Sequence, residues 1–269
     1  MVANGHAPID EALLAHLPAL EIVCCSSAGY DAFDIKALAR RKVRLTNASP
    51  ALAQEVADVA LLLALAGWRR LVAADVWVRD GHWAQQGDFP LGRGHRGRRL
   101  GIVGMGTIGR KVAELAQVLG LEVAYWNRSP KQLTWPQVGD LEELARSSDI
   151  LIVIVAGGEG SRELISPAVI DALGPEGLLV NVARGSVIDE AAMIAALTEG
   201  RLGAAALDVF ATEPNPDPRL TSLPNVTLSP HQASATVETR DAMAALMIDN
   251  LDAYFSGSPL LSEVQLQLG

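Results

Sequence analysis

Leu100-Gly101-Ile102-Val103-Gly104-Met105-Gly106-Thr107-Ile108-Gly109 is the stretch from which the rest of the chain is read. Residues 100–103 are apolar and short enough to be a buried strand, and residues 107–119 carry a helical pattern closed by Gly120. Between them lies Gly-x-Gly-x-x-Gly, a weak signal alone and a strong one between a strand and a helix. Gly104 allows the tight turn, Gly106 lets backbone approach a diphosphate, and Gly109 lets helix and strand pack closely. The first turn of the helix, at Thr107 and Ile108, offers unpaired N–H groups and the positive end of a dipole. The bland alternative is a glycine-rich turn without a ligand; the surrounding strand–helix rhythm favours a dinucleotide site.

That rhythm extends in both directions. Downstream, β-runs at 121–126, 150–155, 177–182, 204–209 and 226–228 alternate with helical stretches at 141–146, 167–173, 190–198 and 235–254. Upstream, strands are expected at 19–25 and 43–46, with a helix at 33–40. A single long helix is expected over 51–78, stopped near Asp80-Gly81, with a loop from 81 to 97. Strands alternating with helices at this spacing imply an α/β fold with a doubly wound parallel (Rossmann) sheet. The expected division is a dinucleotide-binding domain over residues 73–244. A smaller α/β domain of flavodoxin-like type is formed from 1–72 and 245–269, with a small substrate held in a cleft between the two.

Composition excludes several classes. The 269 residues are 49% hydrophobic, 20% charged and only 4% aromatic, as expected of a globular protein rich in small aliphatics. A net charge of −9 argues against nucleic acid as a partner. The one basic cluster, at 93–99, reads as a solvated loop or as the neighbourhood of a cofactor phosphate. Cys24 and Cys25 are adjacent in an apolar run, which suits neither a disulfide framework nor a metal site. The N-terminus lacks a basic leader, and the longest apolar run, 59–68, is too short to span a bilayer, so a reducing, cytoplasmic home without membrane association is expected.

The second β-run after the glycine motif ends in Tyr125-Trp126-Asn127-Arg128-Ser129. An acid usually stands here to bind a ribose 2′-OH. Asn127 is neutral, Arg128 can fork onto a phosphate and Ser129 can donate, so NADP(H) is favoured, with NAD(H) possible. Three later segments each follow a strand: Asn181-Val182-Ala183-Arg184-Gly185, Asp208 to Pro214, and Ser229-Pro230-His231-Gln232-Ala233-Ser234. Carboxyl ends of parallel strands are where open α/β sheets hold their sites. Reducing a 2-oxo acid requires a carboxylate to be held, a carbonyl polarised and a proton supplied. Arg184 suits the first two and His231 the third, with Glu213 against the other imidazole nitrogen to favour the charged acid. Asp208 is placed at the nicotinamide carboxamide, with Ala183 beside the cofactor. Singly, each residue reads as a surface charge or a cap; the joint pattern carries the assignment.

At these residues the chain resembles the D-isomer-specific 2-hydroxyacid dehydrogenase family. Further motifs in keeping with it are Ala28-Gly29-Tyr30-Asp31-Ala32-Phe33-Asp34, Val56-Ala57-Asp58, and Pro230-His231 followed by Ala233-Ser234-Ala235-Thr236. The resemblance implies catalytic Arg184, Glu213 and His231, a substrate carboxylate bound by backbone N–H groups of Ala28 and Gly29, Asp208 at the nicotinamide, and a homodimer with residues 51–78 in its interface. The glyoxylate/hydroxypyruvate reductase branch is most similar, through Gly81-His82-Trp83, Phe89-Pro90-Leu91-Gly92 and the 125–129 segment. Two departures stand out. The family's first strand–helix unit would precede Met1, which implies a shortened small domain. Val155-Ala156-Gly157-Gly158-Glu159-Gly160 replaces a Leu-Pro-x-Thr stretch beside the cofactor. Other readings remain open: a larger aromatic or branched 2-oxo acid, a dinucleotide-sensing protein without turnover, and an inactive remnant.

Overall fold

A computed structural model describes residues 1–266, divided into two compact units: 1–55 with 234–266, and 56–233. The division therefore falls earlier in the long helical region, and earlier near the C-terminus, than the boundaries at 72/73 and 244/245 drawn from sequence.

In the first unit, β1 (Val2–Ala3), β2 (Ile22–Cys25) and β3 (Arg44–Thr46) form a parallel sheet in the order β1-β2-β3. Short helices α1 (Glu11–Ala15) and α2 (Ile35–Arg40) are capped by Asp10 and Asp34, whose carboxylates accept from Leu13 N and Ala37 N. Val23, Cys25, Phe33, Leu38 and Leu45 make a common core, and Cys24 and Cys25 are buried and not joined in a disulfide. The C-terminal strap returns to this sheet: Glu263 bridges Thr46 and pairs with Arg44 at 2.7 Å. That guanidinium, through its hydrogen bonds, holds the Glu263 carboxyl below its ordinary range.

Helix α3 (Ser49–Trp68) carries the chain from one unit into the other. It is long and apolar enough to cross a membrane, yet 56% of its apolar window is buried inside the protein, as in a core helix. The expected single helix over 51–78 is in fact two, because Arg70 adopts a left-handed φ of 55° before α4 (Leu71–Arg79). Gly67, just before the break, is the one local signal for it. The break occurs where the buried Trp68 indole is anchored, its N–H donating to the Gly94 carbonyl at 3.0 Å. The expected loop after it also contains a short helix, α5 (His82–Gln86).

The second unit is built on six parallel strands: β4 (Arg99–Val103), β5 (Glu122–Trp126), β6 (Ile150–Val153), β7 (Leu178–Asn181), β8 (Ala204–Leu207) and β9 (Val226–Leu228). They lie in the order β5-β4-β6-β7-β8-β9. Helices α6 (Thr107–Val118), α7 (Leu141–Arg146), α8 (Pro167–Leu173), α9 (Glu190–Thr198) and α10 (Pro218–Ser222) form the connections. The closing helix α11 (Val237–Phe255) belongs to the first unit. Every residue of β6 and β7 is buried, as an apolar run covered on both faces requires. Helix α6 buries Gly109, Val112, Ala113 and Ala116, one stripe at helical spacing. The strand order reverses direction at β4, between β5 and β6, which creates the crevice where such sheets bind ligands.

Close packing shows at Gly101 in the middle of β4. A β-carbon there would collide with Ser148 Oγ and lie 2.8 Å from Leu151 Cδ1. Gly101→Ala is expected to destabilise the fold by about 1–3 kcal/mol through overpacking. Gly139→Ala, facing open space, should stay within about 0.5 kcal/mol of the parent. Thermal melts of the two variants check this, and equal melting points would contradict the packing described.

Candidate active site

The glycine loop leaves the carboxyl end of β4. Gly104 has φ +105°, and a side chain on it would come within 2.6 Å of the Ile154 carbonyl at the exit of β6. A β-carbon on Gly109 would strike the Gly104 carbonyl, whereas Gly106 faces open space. The first and third glycines are therefore fixed by packing, and the second leaves backbone accessible to a ligand. Gly106 gives α6 no side-chain cap, so the first-turn amides at Thr107 and Ile108 are not satisfied by a capping oxygen.

The exit of β5 is tied to this loop. Asn127 Oδ1 accepts from Met105 N at 3.2 Å, while Asn127 Nδ2 donates to the Ser129 carbonyl at 2.8 Å. Arg128 reaches the β6 exit, donating from Nη2 to the Gly160 carbonyl at 2.6 Å. Glycine backbone, a helix N-terminus and a guanidinium with no acid at the strand end fit a diphosphate and a 2′-phosphate.

The basic cluster at 93–99 is elsewhere. Arg99 opens β4 at its amino end, and Arg93, Arg98 and Arg99 lie 3.6–3.8 Å from Asp149, just before β6. Arg93 and Arg98 also sit over the Trp68 ring, at 4.8 and 5.8 Å. These arginines pin the amino end of the sheet, so the cofactor-phosphate reading of the cluster is set aside.

The three segments at the ends of β7, β8 and β9 interlock. Asn181 shapes the first: its Oδ1 accepts from Ala183 N at 3.0 Å and its Nδ2 donates to the Arg184 carbonyl at 2.9 Å. Arg184 Nη1 donates to the Ala183 carbonyl at 2.7 Å. Gly185 lies so close to Phe210 and Ala211 backbone that any side chain would overlap them. Glu213 Oε1 accepts from Phe210 N at 3.0 Å, and its Oε2 meets His231 Nδ1 at 2.7 Å. Contact thus runs from the arginine segment through Phe210 to Glu213 and the imidazole. Both acidic and imidazole side chains are about one-third exposed, so they are held by protein and open to a ligand.

His231 has φ 50°, a left-handed conformation that costs a residue with a side chain about 1–2 kcal/mol. Asp208, 1% exposed, offsets that cost. Its Oδ1 accepts from Ser229 Oγ at 2.5 Å and Gln232 N at 2.9 Å, and its Oδ2 from Ala233 N at 3.0 Å. The carboxylate binds both sides of His231.

Ala28 and Gly29 lie in the first unit, after the carboxyl end of β2. Asn47 Nδ2 donates to the Ala28 carbonyl at 3.0 Å, Ala48 N donates to the Ser27 carbonyl at 3.0 Å, and Gly5 packs directly on the Gly29 carbonyl. Sequence reasoning missed the roles of Ser229, Gln232 and Glu190; the last accepts from Ala211 N at 2.9 Å. These are contacts across loops, and no local pattern signals them. Among the described residues no group of His, Cys, Asp or Glu could hold a metal ion.

The sequence profile described as "D-isomer specific 2-hydroxyacid dehydrogenase, NAD binding domain" matches residues 60–233, nearly the whole second unit. The chain is 45% identical over 265 residues to a hydroxyphenylpyruvate reductase of Plectranthus scutellarioides, covering 98% of this chain and 84% of the relative. It is 42% identical over 266 residues to a glyoxylate/hydroxypyruvate reductase of Arabidopsis thaliana, covering 98% and 82%. Among solved structures, an NADPH-dependent glyoxylate/hydroxypyruvate reductase of Sinorhizobium meliloti, in complex with NADP and malonate, superposes with a TM-score of 0.90 at 41% identity. That match covers 98% of this chain and 82% of that one. With this profile, these identities and the parallel-sheet crevice agreeing, the chain belongs to the D-isomer-specific 2-hydroxyacid dehydrogenases.

Proposed function

We propose that this chain is an NADPH-linked reductase of small 2-oxo acids, with glyoxylate and hydroxypyruvate as its substrates. The observation that carries this reading is the His231–Glu213 pair at 2.7 Å, locked through Phe210 to the turn that bears Arg184. When bound, the reduced nicotinamide supplies the hydride that the substrate carbonyl carbon accepts. The residues of this chain do the rest. The backbone amides at Gly106, Thr107 and Ile108 hold the diphosphate, with Gly104 and Gly109 shaping the turn that presents them. Asn127, Arg128 and Ser129 take the adenosine end, and Ala183 lines the cofactor. Arg184 holds the substrate carboxylate and polarises the carbonyl. His231 gives its Nε2 proton to the oxygen as negative charge develops there, while Glu213 at Nδ1 steadies the imidazolium.

Asp208 acts chiefly on His231. With three protein donors on its carboxylate, holding the histidine loop is a better-supported role than binding the nicotinamide carboxamide. Cytoplasmic residence is in keeping with two buried cysteines not joined in a disulfide. A homodimer is supported by α4, none of whose residues is buried although Leu71, Val72, Val76 and Val78 are apolar. A second reading, reduction of an arylpyruvate, is favoured by the hydroxyphenylpyruvate reductase relative.

In an assay of NADPH oxidation over a panel of 2-oxo acids, glyoxylate and hydroxypyruvate should give higher kcat/KM than phenylpyruvate. The reverse order selects the second reading, and no turnover with any acid excludes both. His231→Ala should lower kcat by about 10²–10⁴-fold. Arg184→Ala should lower kcat/KM mainly through KM for the oxo acid, and Glu213→Gln should lower kcat with KM little changed. Sedimentation should show twice the chain mass. Leu71→Glu combined with Val78→Glu should reduce it to one chain, and a parent protein already monomeric would remove the dimer from the account.

A further inference from the structure

The loop leaving β6 is built as a tight, hydrogen-bonded turn. Gly158 adopts φ +124°, and a short helical turn, Glu159–Ser161, follows. Ser161, 4% exposed, locks it: its hydroxyl donates to the Ala156 carbonyl at 2.8 Å, and its amide donates to the Gly158 carbonyl at 3.0 Å. The base of the loop is set against Gly104 through the Ile154 carbonyl. The exits of β4 and β6 are thereby held in register.

Arg128 rests on this turn in two ways. Its Nη2 donates to the Gly160 carbonyl at 2.6 Å. Its guanidinium also lies against the bare Cα of Gly160, where an added β-carbon would stand 3.1 Å from Nη2, 3.2 Å from Nη1 and 3.5 Å from Cζ. A β-carbon at 160 makes the guanidinium give by a few tenths of an ångström, and a branched side chain requires more. A carbonyl acceptor fixes the plane of a guanidinium while leaving its charge uncancelled. A carboxylate in the same place would compete with a phosphate for it. An arginine has five donors, so one bond to a carbonyl still permits forked recognition of a phosphate.

We infer that the 157–161 turn is a cofactor-specificity element, in which the carbonyl and missing side chain of Gly160 pre-orient Arg128 for a 2′-phosphorylated adenosine. Gly160 is a positioning residue and Arg128 makes the contact. The inference rests on the NADPH-linked reading and adds to it the residue that organises the phosphate recognition. It makes position 160, which never touches the phosphate, a determinant of NADPH over NADH.

The test is equilibrium binding of two fragments to the full chain: adenosine 2′,5′-bisphosphate, and 5′-AMP as the match lacking the 2′-phosphate. The parent should prefer the bisphosphate. Arg128→Ala should weaken the bisphosphate by about 10-fold or more, as loss of a charge-assisted fork implies, and leave 5′-AMP within about twofold. Gly160→Val should weaken the bisphosphate by about 3–10-fold and spare 5′-AMP, with Gly160→Ala intermediate. In Arg128→Ala, adding Gly160→Val should cost nothing further, because the side chain it displaces is gone. Thermal melts confirm that the variants are folded. Equal weakening of both fragments by Gly160→Val, or additive losses in the double variant, overturns the role of Gly160 and leaves Arg128 in place. No bisphosphate preference in the parent overturns the NADPH reading itself and the inference with it.

Discussion

The carboxylate of Asp208 is the interaction on which the site depends. It sits at the end of β8, out of solvent, and accepts from a hydroxyl and two amides of the loop that follows β9. A buried carboxylate is tolerated only when its lone pairs are filled. Here filling them bends the Ser229–Ala233 segment so that His231 occupies a left-handed backbone position and its ring reaches Glu213. A polar requirement of the interior thus becomes the placement of an imidazole. Glu213 is held in turn by Phe210 N, and Gly185 lets the arginine segment close on the same backbone. The guanidinium, carboxylate and imidazole are set by loops that brace one another at the ends of three adjacent strands.

The two ends of the six-stranded sheet do different work. At the amino end, Arg93, Arg98 and Arg99 gather on Asp149 and the Trp68 ring, and the charge serves packing. At the carboxyl end, the glycine loop and Arg128 offer positive potential that protein carbonyls orient and do not cancel. The acidic surplus of the whole chain therefore coexists with a local concentration of donors at that end.

Much of this was legible in the sequence, and physics separates what was from what was not. The glycine motif is readable because each glycine answers a local demand: a positive φ at Gly104 and a close approach at Gly109. Arg184, Glu213 and His231 are readable because a parallel sheet brings the ends of its strands together, whatever their separation in sequence. The fully buried β6 and β7 announce themselves as apolar runs. The break at Arg70 is only weakly signalled, by Gly67, since a lone glycine is tolerated inside a helix. The anchored Trp68 indole, a tertiary contact, sits at the same place. The basic cluster is no clearer. In its Gly-rich stretch it reads as a solvated loop or a phosphate neighbourhood, whereas β4 separates it from the glycine motif by its own length. The support of Arg128 by Gly160 also lies beyond local reading, because it joins loops at opposite flanks of β4.

The central claim is that Asp208 governs the chemistry by holding His231. The most direct measurement is Asp208→Asn, with kcat and the dissociation constant of NADPH determined on the same folded preparation. An asparagine retains one acceptor oxygen and turns an NH₂ toward loop donors, so the histidine should lose its fixed position. The account predicts a kcat lower by about 10-fold or more, as for partial loss of general-acid catalysis, with NADPH affinity within about twofold of the parent. An unchanged kcat together with clearly weakened NADPH binding would contradict it and return Asp208 to the nicotinamide.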